Sequence, residues 1–324
     1  MPKLLTSYRP EKFIASRRIA KLLLAFDPRS VVALGSDDYR ESTLDVFDAA
    51  TGVRTASLTL TEPPLHEGLF ADHGTGGLLY YCRPSADDYD RKQLMRMGLA
   101  DGQLTVTATP VAVTTESIEM GAAVGGELVY LALEAGVQLR SLSDGTLVRE
   151  IAQPLTGEYN ISAVSSDGRL AVFGNWWEHG VRVVRTADER VLYDLQTQGF
   201  GDGGGANIYF TPDGQELLTA RGTTAQYWNL ATGELVRTVE TTGLDEVETI
   251  MLAQSPDGRY LAQMHQGPAL SVNDARTGKR LWRNEYLPEV QSCCFAPDSE
   301  TLLVSSGRRI VRYDARTGRQ LDEQ

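Results

Sequence analysis

Carboxylates and aromatic rings share loops along this chain. Asp37-Asp38-Tyr39, Asp87-Asp88-Tyr89-Asp90, Trp176-Trp177-Glu178-His179 and the segments around Tyr159, Phe200, Asp245 and Tyr286 each join acid to a ring or stand beside one that does. Such a rim steers a cationic surface by its field and holds it by burying rings, which is the chemistry of docking a basic protein or peptide. The residues selected for that role are Tyr39, Tyr89, Tyr159, Trp176, Trp177, Glu178, His179, Phe200, Asp245 and Tyr286. The competing account is a solvated acidic surface whose aromatics fold onto their own loops. Trp176 and Trp177 stand out, because neighbours on an extended chain point to opposite sides. One ring then packs and the other is exposed, and an exposed Trp is a typical binding anchor.

Other chemistries fit less well. The Asp87–Asp90 run could offer oxygens to Ca²⁺ but lacks the spaced acid pattern of a calcium loop, so it reads as a charged surface loop. Gly201-Asp202-Gly203-Gly204-Gly205-Ala206 matches G-x-G-x-x-A, yet a strand pattern follows it where a dinucleotide loop must open a helix. There is no G-x-S-x-G, H-E-x-x-H or C-x-x-C. The four histidines, His66, His73, His179 and His265, are scattered. No catalytic residue, metal ligand or cofactor is assigned.

Charge and cysteines narrow the setting. Lys and Arg number 31 against 43 Asp and Glu, a net charge of −12 that repels phosphate backbones and anionic bilayers. The N-terminus has no apolar core of a signal peptide, and no run reaches the 18 or so apolar residues of a membrane span. Of three cysteines, Cys293 and Cys294 are adjacent and poorly placed to bridge each other, leaving Cys82 without a partner. A monomer in a reducing cytoplasm, with no nucleic acid or membrane partner, is the expectation.

The elements that must carry those loops are short strands. Residues 249–285 contain apolar runs at 250–253, 260–264, 269–274 and 280–283, separated by Pro256-Asp257-Gly258, a short loop and Arg276-Thr277-Gly278. Four strands joined this way form one antiparallel sheet. The first turn returns at Asp167, Asp213, Asp257 and Asp298, every 41 to 46 residues. The second returns at Gly52, Gly102, Gly145, Gly233, Gly278 and Gly318. The gap between Gly145 and Gly233 predicts another turn near 189, where Ala187-Asp188-Glu189 has no glycine.

Seven such units follow, at about 19–60, 69–107, 118–151, 161–195, 206–240, 249–284 and 290–323. A four-stranded unit cannot bury both its faces alone, so the units must stack and close. The reading is all-β: one domain, 1–324, forming a seven-bladed β-propeller of four-stranded antiparallel blades. A fourth strand of the last unit is expected at 319–323, with residues 1–8 as a candidate closing strand beside that blade. The Asp-Gly and Thr-Gly turns lie on one face and the longer acidic, aromatic loops on the other.

The units resemble WD-repeat propellers. The likeness lies in Pro-Asp-Gly turns followed by Arg259-Tyr260-Leu261-Ala262 or Glu216-Leu217-Leu218, and in third strands ending Val46-Phe47-Asp48, Tyr227-Trp228-Asn229, Val272-Asn273-Asp274 and Tyr313-Asp314. The family's Gly-His pair before the inner strand is missing; only His66 lies in such a loop. The likeness is therefore to divergent, WD-like or quinoprotein-like repeats, and it implies the propeller fold rather than a function. Function comes from the loops: a protein-interaction scaffold on the acidic, aromatic face. The alternative is a propeller hydrolase of the lactonase type, with a metal at the channel mouth held by distant carboxylates.

Overall fold

The computed structural model describes residues 14–25, 27, 29–36, 41–60, 69–72, 77–82, 92–106, 112–114, 119–122, 128–133, 136–152, 159–165, 167–175, 180–197, 207–221, 224–240, 249–265, 269–285, 287 and 290–321. Its elements are all strands. Blade one is β1 (Ile19–Leu24), β2 (Ser30–Ser36), β3 (Ser42–Asp48) and β4 (Arg54–Leu60). Blade two is β5 (Leu69–Asp72), β6 (Gly77–Cys82), β7 (Lys92–Ala100), β8 (Gln103–Val106) and β9 (Ala112–Thr114). Blade three is β10 (Glu119–Ala122), β11 (Leu128–Leu133), β12 (Gly136–Ser141) and β13 (Leu147–Ala152). Blade four is β14 (Tyr159–Val164), β15 (Leu170–Asn175), β16 (Gly180–Arg185) and β17 (Arg190–Gln196). Blade five is β18 (Asn207–Phe210), β19 (Glu216–Arg221), β20 (Thr224–Asn229) and β21 (Leu235–Glu240). Blade six is β22 (Thr249–Gln254), β23 (Tyr260–His265), β24 (Leu270–Asp274) and β25 (Arg280–Asn284). Blade seven is β26 (Cys293–Phe295), β27 (Thr301–Ser306) and β28 (Arg309–Asp314). Within each blade the strands pair in chain order and antiparallel, giving the seven-bladed propeller that the repeats predict.

Two blades depart from the plain four-strand plan. In blade two the outermost strand is broken: β8 pairs with Met97–Ala100, and β9 continues the same edge against Lys92–Leu94. In blade seven the expected fourth strand shrinks to a bridge, Tyr313 to Gln320, with the Leu321 amide donating to Arg312 O. Further along that edge of β28, Ile14 bridges Arg309 and the Ala15 amide donates to Arg308 O. Two chain segments thus share one strand edge, which leaves the C-terminal one little of it. The candidate closing strand at residues 1–8 lies outside the described residues.

The core is divided into layers between blades. Along β2, Val32 and Leu34 enter the layer against blade two, with Leu78 and Met97, while Val31 and Ala33 enter the layer against blade seven, with Leu303 and Ile310. The middle strands bury both faces; β2 accordingly reads as a nearly continuous apolar run, while β4, at the rim, alternates. Comparable layers join blades three and four, four and five, five and six, and six and seven.

The second turn is a recurring device. Gly52, Gly145, Gly233, Gly278 and Gly318 have φ of 71 to 74° and donate their amides back to the carbonyl four residues earlier. The third and fourth strands slip register by one residue just before this turn in blades one, three, four, five and six, as a bulge requires. The turn predicted near 189 is present, and Glu189 takes the left-handed conformation there with φ of 56°.

Four residues beyond this turn position, a side chain crosses to the next blade. Arg149 donates to Thr186 O, the Tyr193 hydroxyl to Ala231 O, Arg237 Nε to Ala275 O and Trp282 Nε1 to Ala315 O, at 2.5, 2.6, 3.0 and 2.8 Å. Tyr193 and Trp282 also lie flat over Gly233 and Gly318 of the following blade, close enough that a Cβ would meet ring atoms at 2.3 and 2.7 Å. Blade stacking is thereby registered by side-chain hydrogen bonds as well as by apolar area.

Candidate functional site

Most of the residues selected for binding lie outside the described residues: Tyr39, Tyr89, Trp176, Trp177, Glu178, His179, Phe200, Asp245 and Tyr286. Tyr159 opens β14, where its backbone pairs with Asn175. Asn175 immediately precedes Trp176 in sequence, so the fold sets the start of that loop beside Tyr159.

The cysteines are packing residues. Cys293 enters the layer between blades six and seven, while Cys294 packs toward that between seven and one. All three thiols are unbridged. Burial pushes Cys293 up to about 12, and burial together with Cys293 raises Cys294 as well. Neither is a thiolate nucleophile at neutral pH.

The opposite face is built from the two sets of turns. In blades four, five and six the first turn is Ser/Thr-x-Asp-Gly. The Ser165, Thr211 and Ser255 hydroxyls donate to Asp167, Asp213 and Asp257 at 2.7, 2.6 and 2.7 Å. Each hydroxyl also accepts an amide five residues on, from Leu170, Glu216 and Tyr260, at 2.9 Å. These hydroxyl residues escaped the sequence reading, although one stands two places before each aspartate. In the second turn Asp48, Asp274 and Asp314 accept both the amide and the hydroxyl of Thr51, Thr277 and Thr317.

Hydrogen bonds to the charged form make these carboxyls more acidic. The Thr51, Thr277 and Thr317 hydroxyls do so for Asp48, Asp274 and Asp314, and the Thr211 hydroxyl for Asp213. Burial opposes the shift at Asp167 and Asp257, but hydroxyl and amide donors together still lower them. The Thr146 amide lowers Asp144, and Arg185 holds Asp188 at about 2. A carboxyl more acidic folded than unfolded adds stability above its unfolded value and loses it as pH falls toward its folded value. Urea midpoints should therefore hold steady down to about pH 5 and fall steeply from about pH 4 toward 2. A midpoint unchanged between pH 5 and 3 would contradict this account of the turns.

Between the first turns of blades five and six lies a groove of about 400 Å³, lined by Thr211, Pro212, Asp213, Glu216, Arg237, Gln254, Pro256, Asp257 and Gly258. Arg237 is fully engaged at its side. Nη1 meets Glu216 at 2.8 Å, Nε donates to Ala275 O, and the guanidinium sits 3.7 Å from the centroid of the buried Tyr227 ring. Arg259 pairs with Asp257 and reaches Glu300 of blade seven at 2.6 Å. Asp213 spends Oδ1 on the Thr211 hydroxyl and the Gln215 amide and forms no ion pair among the described residues. The groove is thus acidic on both walls, and the Arg237 charge also favours the ionised Asp213.

Among the described residues, no three His, Cys, Asp or Glu side chains are grouped to hold a metal ion, so the hydrolase alternative gains no support from them. No helix among them is long and apolar enough to cross a membrane. Residues 219–321, from the second strand of blade five to the last described residue, match a family model described as outer membrane protein assembly factor BamB. No curated protein matches the chain.

Proposed function

We propose that this chain, a quinoprotein-like seven-bladed β-propeller, is a protein-interaction scaffold whose partner is a basic protein or peptide. The observation that carries the reading is charge held by the fold. Eight turn aspartates, Asp48, Asp144, Asp167, Asp188, Asp213, Asp257, Asp274 and Asp314, hold their carboxylates in place through hydrogen bonds, from Arg185 at Asp188 and from their own turns elsewhere, on a chain of net charge −12. A fixed anionic surface favours cationic partners and speeds their capture. The name of the matched family, an assembly factor, supports binding over catalysis.

The turn aspartates lie on the opposite face and contribute to the overall field; the main footprint is the long-loop face, whose sequence joins acids such as Glu178 and Asp245 to Trp176 and Trp177. The unbridged thiols support a reducing compartment, and we place the monomer in the cytoplasm. The test is capture from native lysate, followed by titration of the captured protein. A basic partner should bind more weakly as salt rises, and Trp176→Ala or Trp177→Ala should weaken it about tenfold or more. A captured protein that is acidic, insensitive to salt and equally bound by both variants would overturn the reading.

A further inference from the structure

Six Asp-Gly pairs occur in the chain, and five of them, at Asp101, Asp144, Asp167, Asp213 and Asp257, form turns among the described residues. The pair is open to a reaction of its own backbone, because glycine has no Cβ to keep its amide nitrogen from the preceding carboxyl. We infer that Asp101-Gly102, the turn between β7 and β8 of blade two, is a site of covalent modification, where ring closure to a succinimide converts aspartate to isoaspartate. The inference is independent of the scaffold reading.

The step needs no second substrate, oxidant or reductant. A bond forms between Gly102 N and Asp101 Cγ, and the carboxyl hydroxyl leaves with the amide proton as water. Water then reopens the imide. Attack at Cγ restores aspartate, and attack at the main-chain carbonyl carbon leaves isoaspartate, whose backbone runs through Cβ and Cγ.

The folded chain separates the five turns by what holds the nucleophile and the carboxyl. Exposure does not separate them, since all five aspartates are exposed. At the other four, the glycine amide is already donated: Gly145 to Ser141 O at 2.9 Å, and Gly168, Gly214 and Gly258 to Ser165, Thr211 and Ser255 O at 2.8 Å. Their carboxylates are held as well, by Thr146 at Asp144, by Ser165 and Arg169 at Asp167, by Thr211 and Gln215 at Asp213, and by Ser255 and Arg259 at Asp257. Those four carboxyls are also more acidic than an ordinary aspartate, which keeps them in the ionised form that resists attack.

Blade two is built differently. Its third and fourth strands pair without a register slip, Ala100 opposite Gln103, so Asp101 and Gly102 alone make the turn. Both have positive φ, 51° and 71°, the two-residue hairpin turn that Asp-Gly favours. Among the described residues, neither the Gly102 amide nor the Asp101 carboxylate has a hydrogen-bond partner. Nucleophile and electrophile are thus adjacent and unengaged only here.

The experiment ages the folded full chain for weeks at body temperature, digests it under acid conditions and counts isoaspartate at each turn by electron-transfer fragmentation. Three hydrogen bonds must open at each of the other turns before the ring can close, so Asp101 should convert about tenfold faster or more. In guanidinium chloride, where those bonds are gone, the five pairs should convert at similar rates. Asp101→Glu, whose ring would need six members, should remove the signal at this turn and leave the other four unchanged. Equal rates at all five turns of the folded chain, or no conversion at Asp101 while the denatured chain converts, would overturn the assignment.

Discussion

Replacing Gly318 with alanine should destabilise the propeller by about 3 kcal/mol, the sum of a backbone cost and a clash. The residue sits at φ of 71°, where an L side chain costs about 1–2 kcal/mol. A Cβ there would also stand 2.7 Å from Cγ and Cδ2 of Trp282. That indole is not free to yield, because Nε1 donates to Ala315 O at 2.8 Å and the ring stacks on Tyr313 at 5.9 Å between centroids. Gly214→Ala supplies the control. Its φ is 67°, and a Cβ would find nothing within 4 Å, so only the backbone cost applies. The difference between the two urea midpoints then measures the interlock between blades six and seven. Equal losses in the two variants would mean that Trp282 is not held against Gly318 in solution.

Asp45→Ala should cost about as much, roughly 3 kcal/mol, through ring closure rather than blade stacking. Asp45 lies on β3 with no exposed surface. It accepts the Ser16 amide at 2.6 Å, the Ser16 hydroxyl at 3.0 Å and the Ser57 hydroxyl at 2.6 Å, with Arg54 at 3.4 Å. The neighbouring Ala15 is buried and bonded to blade seven: its amide donates to Arg308 O at 2.8 Å, and Arg308 Nε donates to its carbonyl at 3.1 Å. Residues 15 and 16 therefore clasp the first blade to the last. Removing the carboxylate takes the acceptor from the Ser16 amide and from the Ser16 and Ser57 hydroxyls, leaves Arg54 without its acid, and frees one side of the clasp. Asp45→Asn keeps one acceptor oxygen and should recover part of the loss. Hydrogen exchange gives the location, since the Ala15 and Ser16 amides should lose protection first. A loss below about 1 kcal/mol with those amides still protected would exclude the clasp.

Both results bear on how much could be read in advance. The repeats were legible because a turn is a local problem. Asp257 and Gly258, or Thr277 and Gly278, satisfy amides within a few residues of themselves and meet a φ that few residues tolerate. The same local logic placed a turn at Glu189, where glycine is missing. Strand periodicity then gave the blades, since a strand buried on both faces must be apolar throughout. The hydroxyls of Ser165, Thr211 and Ser255 were equally local and only overlooked.

By itself, then, the sequence determined the strand order, the turn chemistry, the count of blades and the acidic balance, because each depends on neighbours in the chain or on composition. The tertiary structure decided what lies a blade apart. It set the turns at Asp213 and Asp257 side by side as a groove, aimed Arg237 at Ala275 and laid Trp282 on Gly318. It also made Asp45 a buried hub, although the alternation of Leu44, Asp45 and Val46 reads as a strand with one wet face. Those contacts follow from how twisted sheets stack around a closed ring, and no local preference encodes that angle.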